Sequence, residues 1–89
     1  MRFIVAALTV PLLLSSYGAA QADECSELWF SRNQIYKNAG YCFKTPRGIR
    51  AFGNAGCQYD DMREVPLSER DRIAVGRFVR EEAVLGCRP

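Results

Sequence analysis

Four cysteines, Cys25, Cys42, Cys57 and Cys87, restrict the fold of this 89-residue chain more than any other feature. The chain has no histidine, and no two cysteines form a C-x-x-C pair. Zinc sites and thioredoxin-like redox sites therefore have little support. A short chain with an even number of cysteines is instead typical of an exported, disulfide-bonded domain, and four cysteines allow three connectivities.

The first 22 residues are typical of a secretory signal peptide. Arg2 precedes an apolar run over residues 3–14, which is too short for a membrane span of roughly 20 residues. Ala20-Gln21-Ala22 then forms an A-x-A cleavage pattern, so we expect residues 1–22 to be removed. A lipoprotein is the alternative, but acidic residues rather than small ones precede Cys25.

Cleavage would leave residues 23–89 as one small domain without stable membrane insertion, located in a periplasm or outside the cell. A domain of this size has a marginal hydrophobic core, so covalent cross-links have an obvious physical purpose. The whole chain has a net charge of +2, and loss of Arg2 would lower it to near +1. Nucleic-acid binding is disfavoured, because phosphate contacts need a strong basic excess.

The positive charge is unevenly distributed along the chain. Residues 32–50 include five basic side chains and no acid, which predicts one basic face. These side chains are Arg32, Lys37, Lys44, Arg47 and Arg50.

Three segments have helical patterns. The first segment begins with acidic residues and Ser26, and its apolar residues recur at helical spacing until Gly40. This pattern predicts a helix over 26–39, with Arg32, Asn33 and Lys37 on or beside its polar side. Thr45-Pro46 predicts a short helix over 46–52 that buries Ile49 and Phe52. Ser68 opens a last helix that ends at Gly86. Its expected buried residues are Ala74, Val75, Phe78, Val79 and Leu85, with Glu81, Glu82 and the arginines in solvent.

These patterns predict an all-α domain of three helices, with one short middle helix, stapled by two disulfides. If the first and last helices pack antiparallel, the start of one lies near the end of the other. That arrangement favours Cys25–Cys87, while Cys42–Cys57 would bracket the middle helix.

The segment 32–43 resembles the YARHG domain, a bacterial extracytoplasmic module. The family pattern is roughly Arg-Asn, two residues, Tyr-Ala-Arg-His-Gly, an aromatic, any residue and Phe. The resemblance extends over about residues 26–85, where Phe52 and Leu67-Ser68 match later positions and Cys57 lies near an expected Trp, suggesting a disulfide in place of an aromatic plug. The matching residues in the motif are Arg32, Asn33, Tyr36, Gly40, Tyr41 and Phe43.

The chain departs from the family pattern at Asn38 and Ala39, which replace the name-giving Arg and His. Any function of that pair cannot be transferred to this chain. The resemblance implies an exported helical domain over residues 23–89 and suggests cell-wall binding, notably to peptidoglycan. Interaction with, or inhibition of, another exported protein is the alternative.

Six residues are candidates for ligand binding, because they combine basic, amide and aromatic groups in the basic segment. Each also has a structural interpretation. Arg32 and Asn33 would hydrogen-bond the turn around Gly40 and the middle helix, the aromatics would form the core, and the basic residues of the middle helix would belong to a solvated face. The candidates are Arg32, Asn33, Tyr36, Tyr41, Arg47 and Arg50.

Catalysis is not expected. The cysteines are predicted to be oxidised and cannot act as thiolate nucleophiles. A carboxylate pair for glycoside cleavage could come from Glu27, Asp60, Asp61 or Glu64, but it would need a cleft that a domain this small barely supplies. Asp60, Asp61 and Glu64 lack the pattern of a calcium-binding EF-hand loop. We therefore expect no metal and no cofactor.

Overall fold

The computed structural model describes residues 10–88, with their side chains from residue 21 onward. In this part the chain is helical and has no β-strand, which confirms the predicted all-α fold of three helices and two disulfides. The elements are α1 (Val10–Asn38), α2 (Pro46–Phe52), a short 3-10 helix η1 (Met62–Glu64) and α3 (Glu69–Leu85).

Helix α1 extends across the expected cleavage point between Ala22 and Asp23. The predicted start near Ser26 is therefore wrong for the full chain, because the alanine- and leucine-rich residues before Asp23 are good helix formers and continue the helix. The signal-peptide prediction lies partly outside the described residues and stays a prediction. Among the described helices, none has both the length and the apolar composition that a membrane span requires.

Helices α1 and α3 pack antiparallel. The Gln21 side chain donates to the carbonyl of Leu85, and the Cys25–Cys87 disulfide joins the same ends of the two helices, with 5.5 Å between its Cα atoms. At the other end, Ile35 of α1 lies beside the first turns of α3. The predicted pairing of Cys25 with Cys87 is thus confirmed.

The ends of α3 are set by local capping. The Ser68 hydroxyl accepts from the backbone N–H of Asp71 at 3.1 Å, as the sequence predicts. Gly86 ends the helix in the left-handed region, with φ of 73°, and its N–H donates to the carbonyls of Ala83 and Glu82.

The predicted buried face of α3 is wrong at two positions. Val79 is 48 % exposed, whereas Glu82, which was expected in solvent, is only 8 % exposed. The Glu82 carboxylate accepts two hydrogen bonds from Arg32 of α1, at 2.7 Å from Nε and 3.0 Å from Nη2. A buried carboxylate needs such a partner, so the ion pair rotates this face of α3 toward α1 and leaves Val79 outside.

The segment between α1 and α3 is folded around a second disulfide, Cys42–Cys57, as predicted. The backbone N–H of Cys42 donates to the carbonyl of Tyr59 at 2.8 Å, and the N–H of Gln58 donates to the carbonyl of Gly40 at 2.7 Å. Gly40 itself has φ of 99°, a conformation that glycine adopts without strain. Two covalently joined stretches of chain therefore run side by side after α1.

Helix α2 has the predicted bounds, with the Thr45 hydroxyl accepting from the N–H of Gly48 at 3.1 Å. Its predicted buried face is wrong at Ile49, which is 45 % exposed, and Gly48 is the buried residue. Phe43 packs directly against Gly48 and stacks on Phe52, with 5.0 Å between ring centroids. A side chain at Gly48 would block this approach. Because α2 turns Gly48 toward Phe43, the next residue, Ile49, faces outward.

Gly48→Ala should lower the free energy of unfolding by about 1–3 kcal/mol, the usual cost of overpacking. A Cβ at this position would lie 2.8 Å from Cδ1 of Phe43. Gly76→Ala is the matched control, because a Cβ there meets only a flexible arginine tip at 3.5 Å. It should raise stability by about 0.5–1 kcal/mol through helix propensity. Urea denaturation of both variants checks the prediction, and a stable Gly48→Ala protein would contradict it.

Glu82→Ala should destabilise the domain by about 1.5–3 kcal/mol, because it leaves the largely buried Arg32 guanidinium without its carboxylate partner. A double-mutant cycle with methionine tests the pair directly. The double variant Arg32→Met/Glu82→Met should lose less stability than the sum of the losses of Arg32→Met and Glu82→Met, since an apolar pair leaves no unpaired charge. Thermal unfolding of the four members of this double-mutant cycle measures the coupling. Additive effects would show that the ion pair does not join α1 to α3.

Candidate functional site

A cleft of about 260 Å³ lies between α1, α2 and η1. It brings together four of the six predicted ligand-binding residues, Arg32, Asn33, Tyr41 and Arg47. These residues come from the second half of α1, from the turn after it and from the first turn of α2. The fold thus brings these four predicted residues, which are up to 15 positions apart in the sequence, into one site.

The other two candidates do not line this cleft. Tyr36 packs edge-on against Tyr41, with 6.0 Å between ring centroids, and so supports the cleft from behind. Arg50 is exposed near the end of α2. Its position makes it a control for Arg47, since both arginines belong to the same short helix.

Asn33 is 5 % exposed, and its amide donates to the carbonyl of Trp29, four residues earlier in α1, at 2.9 Å. Arg32 binds Glu82 of α3. Both residues therefore have structural partners, but these differ from the expected turn around Gly40 and the middle helix. Sequence reasoning placed Asn33 on or beside the polar side of α1, because the pattern of that helix alone does not show which side the loop covers.

The residue that holds the turn is Asn54, which sequence reasoning missed. Its side-chain oxygen accepts from the N–H of Phe43 at 2.7 Å, and its amide nitrogen donates to the carbonyl of Phe43 at 3.0 Å. Asparagine commonly bonds the backbone in this way, so its place in the loop that leads to Cys57 was an available signal. Asn54 fixes Phe43 in the wall of the cleft.

Arg47 lies over the ring of Trp29, with its guanidinium carbon 3.8 Å from the ring centroid. This cation–π contact joins α2 to α1 at the mouth of the cleft. The ring of Trp29 also contacts the ring of Phe52, with 5.9 Å between their centroids, so the end of α2 packs against it as well. The orientation of Arg47 is consequently restricted before any ligand binds.

The charges around the cleft are unevenly compensated. The lining includes the cations Arg32, Lys44 and Arg47 and no carboxylate. Arg32 is paired with Glu82, and Lys44 contacts Asp60 at 2.8 Å in an exposed ion pair. Within residues 21–88, Arg47 has no carboxylate partner. The cleft therefore has the charge and the donors to attract an anion.

The far wall of the cleft is formed by Met62 in η1. The Asp61 side chain caps this turn by accepting from the N–H of Arg63 at 2.9 Å. The hydrogen bond from the Arg63 guanidinium lowers the pKa of the exposed Asp61 carboxyl, and the backbone hydrogen bond lowers it further by a smaller amount. The Asp61 carboxylate in turn raises the pKa of Arg63. Asp61 is thus an ionised cap that stabilises the wall of the cleft.

Within the part of the chain that the structure describes, no group of three His, Cys, Asp or Glu side chains is arranged to hold a metal ion. The carboxylates considered for catalysis do not line the cleft; they are Glu27, Asp60, Asp61 and Glu64. Its lining combines basic side chains with the aromatic rings of Trp29, Tyr41 and Phe43.

The model of the YARHG domain matches residues 3–80 of the chain, which is more than half of its length. The match includes every residue that lines the cleft. No curated protein and no solved structure matches the chain.

Replacing Cys42 and Cys57 with serine should disrupt the cleft more than the helix pair. This disulfide closes a segment with a sequence separation of 15, which contains Lys44, Thr45 and Arg47. Its loss should cost about 3 kcal/mol and change the fluorescence of Trp29, because Arg47 is then no longer held over the ring. Far-UV circular dichroism should retain most of the helix signal from α1 and α3.

The matched control is the serine variant of Cys25 and Cys87, whose sequence separation is 62. It should lower stability by about 4 kcal/mol but leave the emission of Trp29 unchanged in the folded protein. Equal changes in emission for the two variants would contradict separate roles for the two disulfides.

Proposed function

Since this chain belongs to the YARHG domain family of extracytoplasmic domains, we propose that it is an exported binding module for the bacterial cell wall, with peptidoglycan as its ligand. The observation that carries the proposal is the cleft in which Arg47 lies over Trp29 without a carboxylate partner among the described residues. The peptides of peptidoglycan offer carboxylates, which are complementary to the basic groups of this cleft.

Export is part of the proposal. Two disulfides persist in oxidising compartments such as a periplasm or the outside of a cell. The signal-like residues 1–22 would direct the chain there, and their removal would place Asp23 at the start of the mature protein. Asp23 and Glu24 would then lie in the first turn of α1, where negative charge is favourable.

Binding is proposed to occur without catalysis. The lining of the cleft has no carboxylate that could act as a general acid or base, and the chain has no histidine. All four cysteines are in disulfides, so none is a thiolate nucleophile.

A second candidate function is interaction with another exported protein. The observation that favours it is a separate groove between α1 and α3, where Phe30 is 47 % and Ile73 59 % exposed. Side chains of this size in an open groove are typical of protein-binding surfaces. Binding at this groove would be independent of Arg47, which lines the cleft between α1, α2 and η1.

The exported protein should begin at Asp23. Mass spectrometry of the protein recovered from the periplasm or medium measures this directly, because each cleavage position gives a different mass. A Gln21→Arg variant keeps both small residues of the A-x-A pattern and should be cut at the same bond. A mature protein that retains residue 22 or earlier ones would contradict the predicted boundary.

Purified sacculi should sediment the oxidised, exported protein at low salt. Arg47→Ala should abolish most of this binding, because it removes the cation of the cleft that has no partner within the described residues. Binding of the unchanged protein should weaken as salt rises toward 0.5 M, since exposed charges are screened over about 10 Å already at 0.1 M. The measurement is the pelleted fraction at each salt concentration.

Arg50→Ala is the matched control, because it removes the same charge from the same helix outside the cleft. It should pellet like the unchanged protein. Equal losses for both variants would indicate a diffuse basic face instead of a site. No pelleting at low salt would remove the cell wall as the ligand and favour a protein partner at the α1–α3 groove.

A further inference from the structure

We propose that the cleft recognises a carboxylate of the wall peptides and not a sugar ring. This inference rests on the proposed function and assigns the chemical group that is bound. It follows from which surfaces of the lining side chains are already occupied within the domain and which are left free.

A sugar ring binds an aromatic side chain by laying its C–H face on an open ring face. The lining aromatics Trp29, Tyr41 and Phe43 are already packed against other groups. Arg47 covers Trp29 at 3.8 Å, and Phe43 is stacked on Phe52 at an interplanar angle of 17°. Tyr41 is edge-on to Phe43, at 5.1 Å. These rings are therefore better placed to position the arginine than to stack on a sugar.

Arg47 differs from these rings, because its hydrogen-bond donors remain available. Its guanidinium carbon lies 3.8 Å from the ring centroid of Trp29, and the N–H groups of a guanidinium lie in its plane, where two of them can donate to the two oxygens of a carboxylate. Within the described residues, Arg47 donates no side-chain hydrogen bond and has no ion-pair partner. Because Trp29 already restricts this side chain, little conformational entropy remains to be lost on binding.

The neighbouring groups support the same ligand chemistry. The positive charges of Arg32 and Lys44 are balanced by Glu82 and Asp60, which do not line the cleft. An entering carboxylate therefore meets no negative side chain on the lining surface. The site is an anion receptor whose one available charge is Arg47.

The size of the cleft limits how much of a ligand it can hold. Pockets that enclose whole small molecules measure about 300–1,000 Å³, and this cleft measures about 260 Å³. It suits one acidic residue at the end of a short peptide, with the remainder of the polymer outside. Affinity for each site would be modest, and a polymeric wall would offer many such sites.

A pair of soluble peptides tests the inference directly. The probes are a short synthetic wall-type peptide with a free C-terminal carboxylate, the same peptide with a C-terminal amide, and a neutral chito-oligosaccharide. Trp29 is the only tryptophan of the chain, so its fluorescence reports on the cleft alone. The peptide with the free carboxylate should bind saturably. The amide should bind at least about tenfold more weakly, because it loses a charge-assisted hydrogen-bond pair.

The variants separate recognition of the carboxylate from a general effect of charge. Arg47→Lys keeps the charge but removes the planar donors and should lose most of the preference for the free carboxylate. Arg50→Lys should retain that preference. Calorimetry measures binding by the variants, because Arg47 itself contacts the fluorescent ring. An amide or a chito-oligosaccharide that binds as tightly as the free carboxylate would overturn the inference, as would an unaffected Arg47→Lys protein.

Sacculi whose carboxylates have been converted to methylamides distinguish this inference from the proposed function. Pelleting with untreated sacculi only would support both. Equal pelleting with both preparations would leave wall binding in place and overturn the carboxylate assignment. No pelleting with either, together with discrimination between the two peptides, would overturn the wall as the source and point to an acidic segment of an exported protein.

Discussion

The ion pair between Arg32 and Glu82 is the interaction on which the arrangement of the helices depends. It joins α1 to α3 at a point where both side chains are largely buried, with two hydrogen bonds of 2.7 and 3.0 Å. Among the described residues no large side chain is fully buried, so the hydrophobic core is thin. The ion pair and the Cys25–Cys87 disulfide therefore define the relative position of the two long helices.

The segment 40–65 depends on a different set of constraints, which act over short distances. Cys42–Cys57 closes this segment, Asn54 holds the backbone of Phe43 at both its N–H and its carbonyl, and Gly48 allows Phe43 to approach α2. Together they determine where the first turn of α2 lies. The contact of Arg47 with Trp29 is the consequence, because the first turn of α2 must be placed so that the Arg47 guanidinium carbon reaches 3.8 Å from the ring centroid of Trp29 on α1.

Two arginines of the cleft illustrate how the same side chain acquires different roles. Arg32 is neutralised by a buried carboxylate and acts as part of the fold, whereas Arg47 is oriented by an aromatic ring that leaves its charge uncompensated. Position within the tertiary structure, and not residue type, distinguishes them. The proposed function and the carboxylate assignment both depend on this difference, since only an uncompensated and oriented cation favours a specific anion.

Local signals in the sequence determined the bounds of α2 and α3, because Thr45-Pro46, Ser68 and Gly86 act on backbone groups within a few residues. The disulfide pairing followed from the antiparallel order of the helices, and four of the six candidate residues line one cleft. Only the tertiary structure decided that Glu82 is buried, that Ile49 is exposed and that Asn54 holds the turn. The reason is physical: these outcomes depend on partners that are distant in sequence or on the shape of a neighbouring surface, and helical periodicity contains neither.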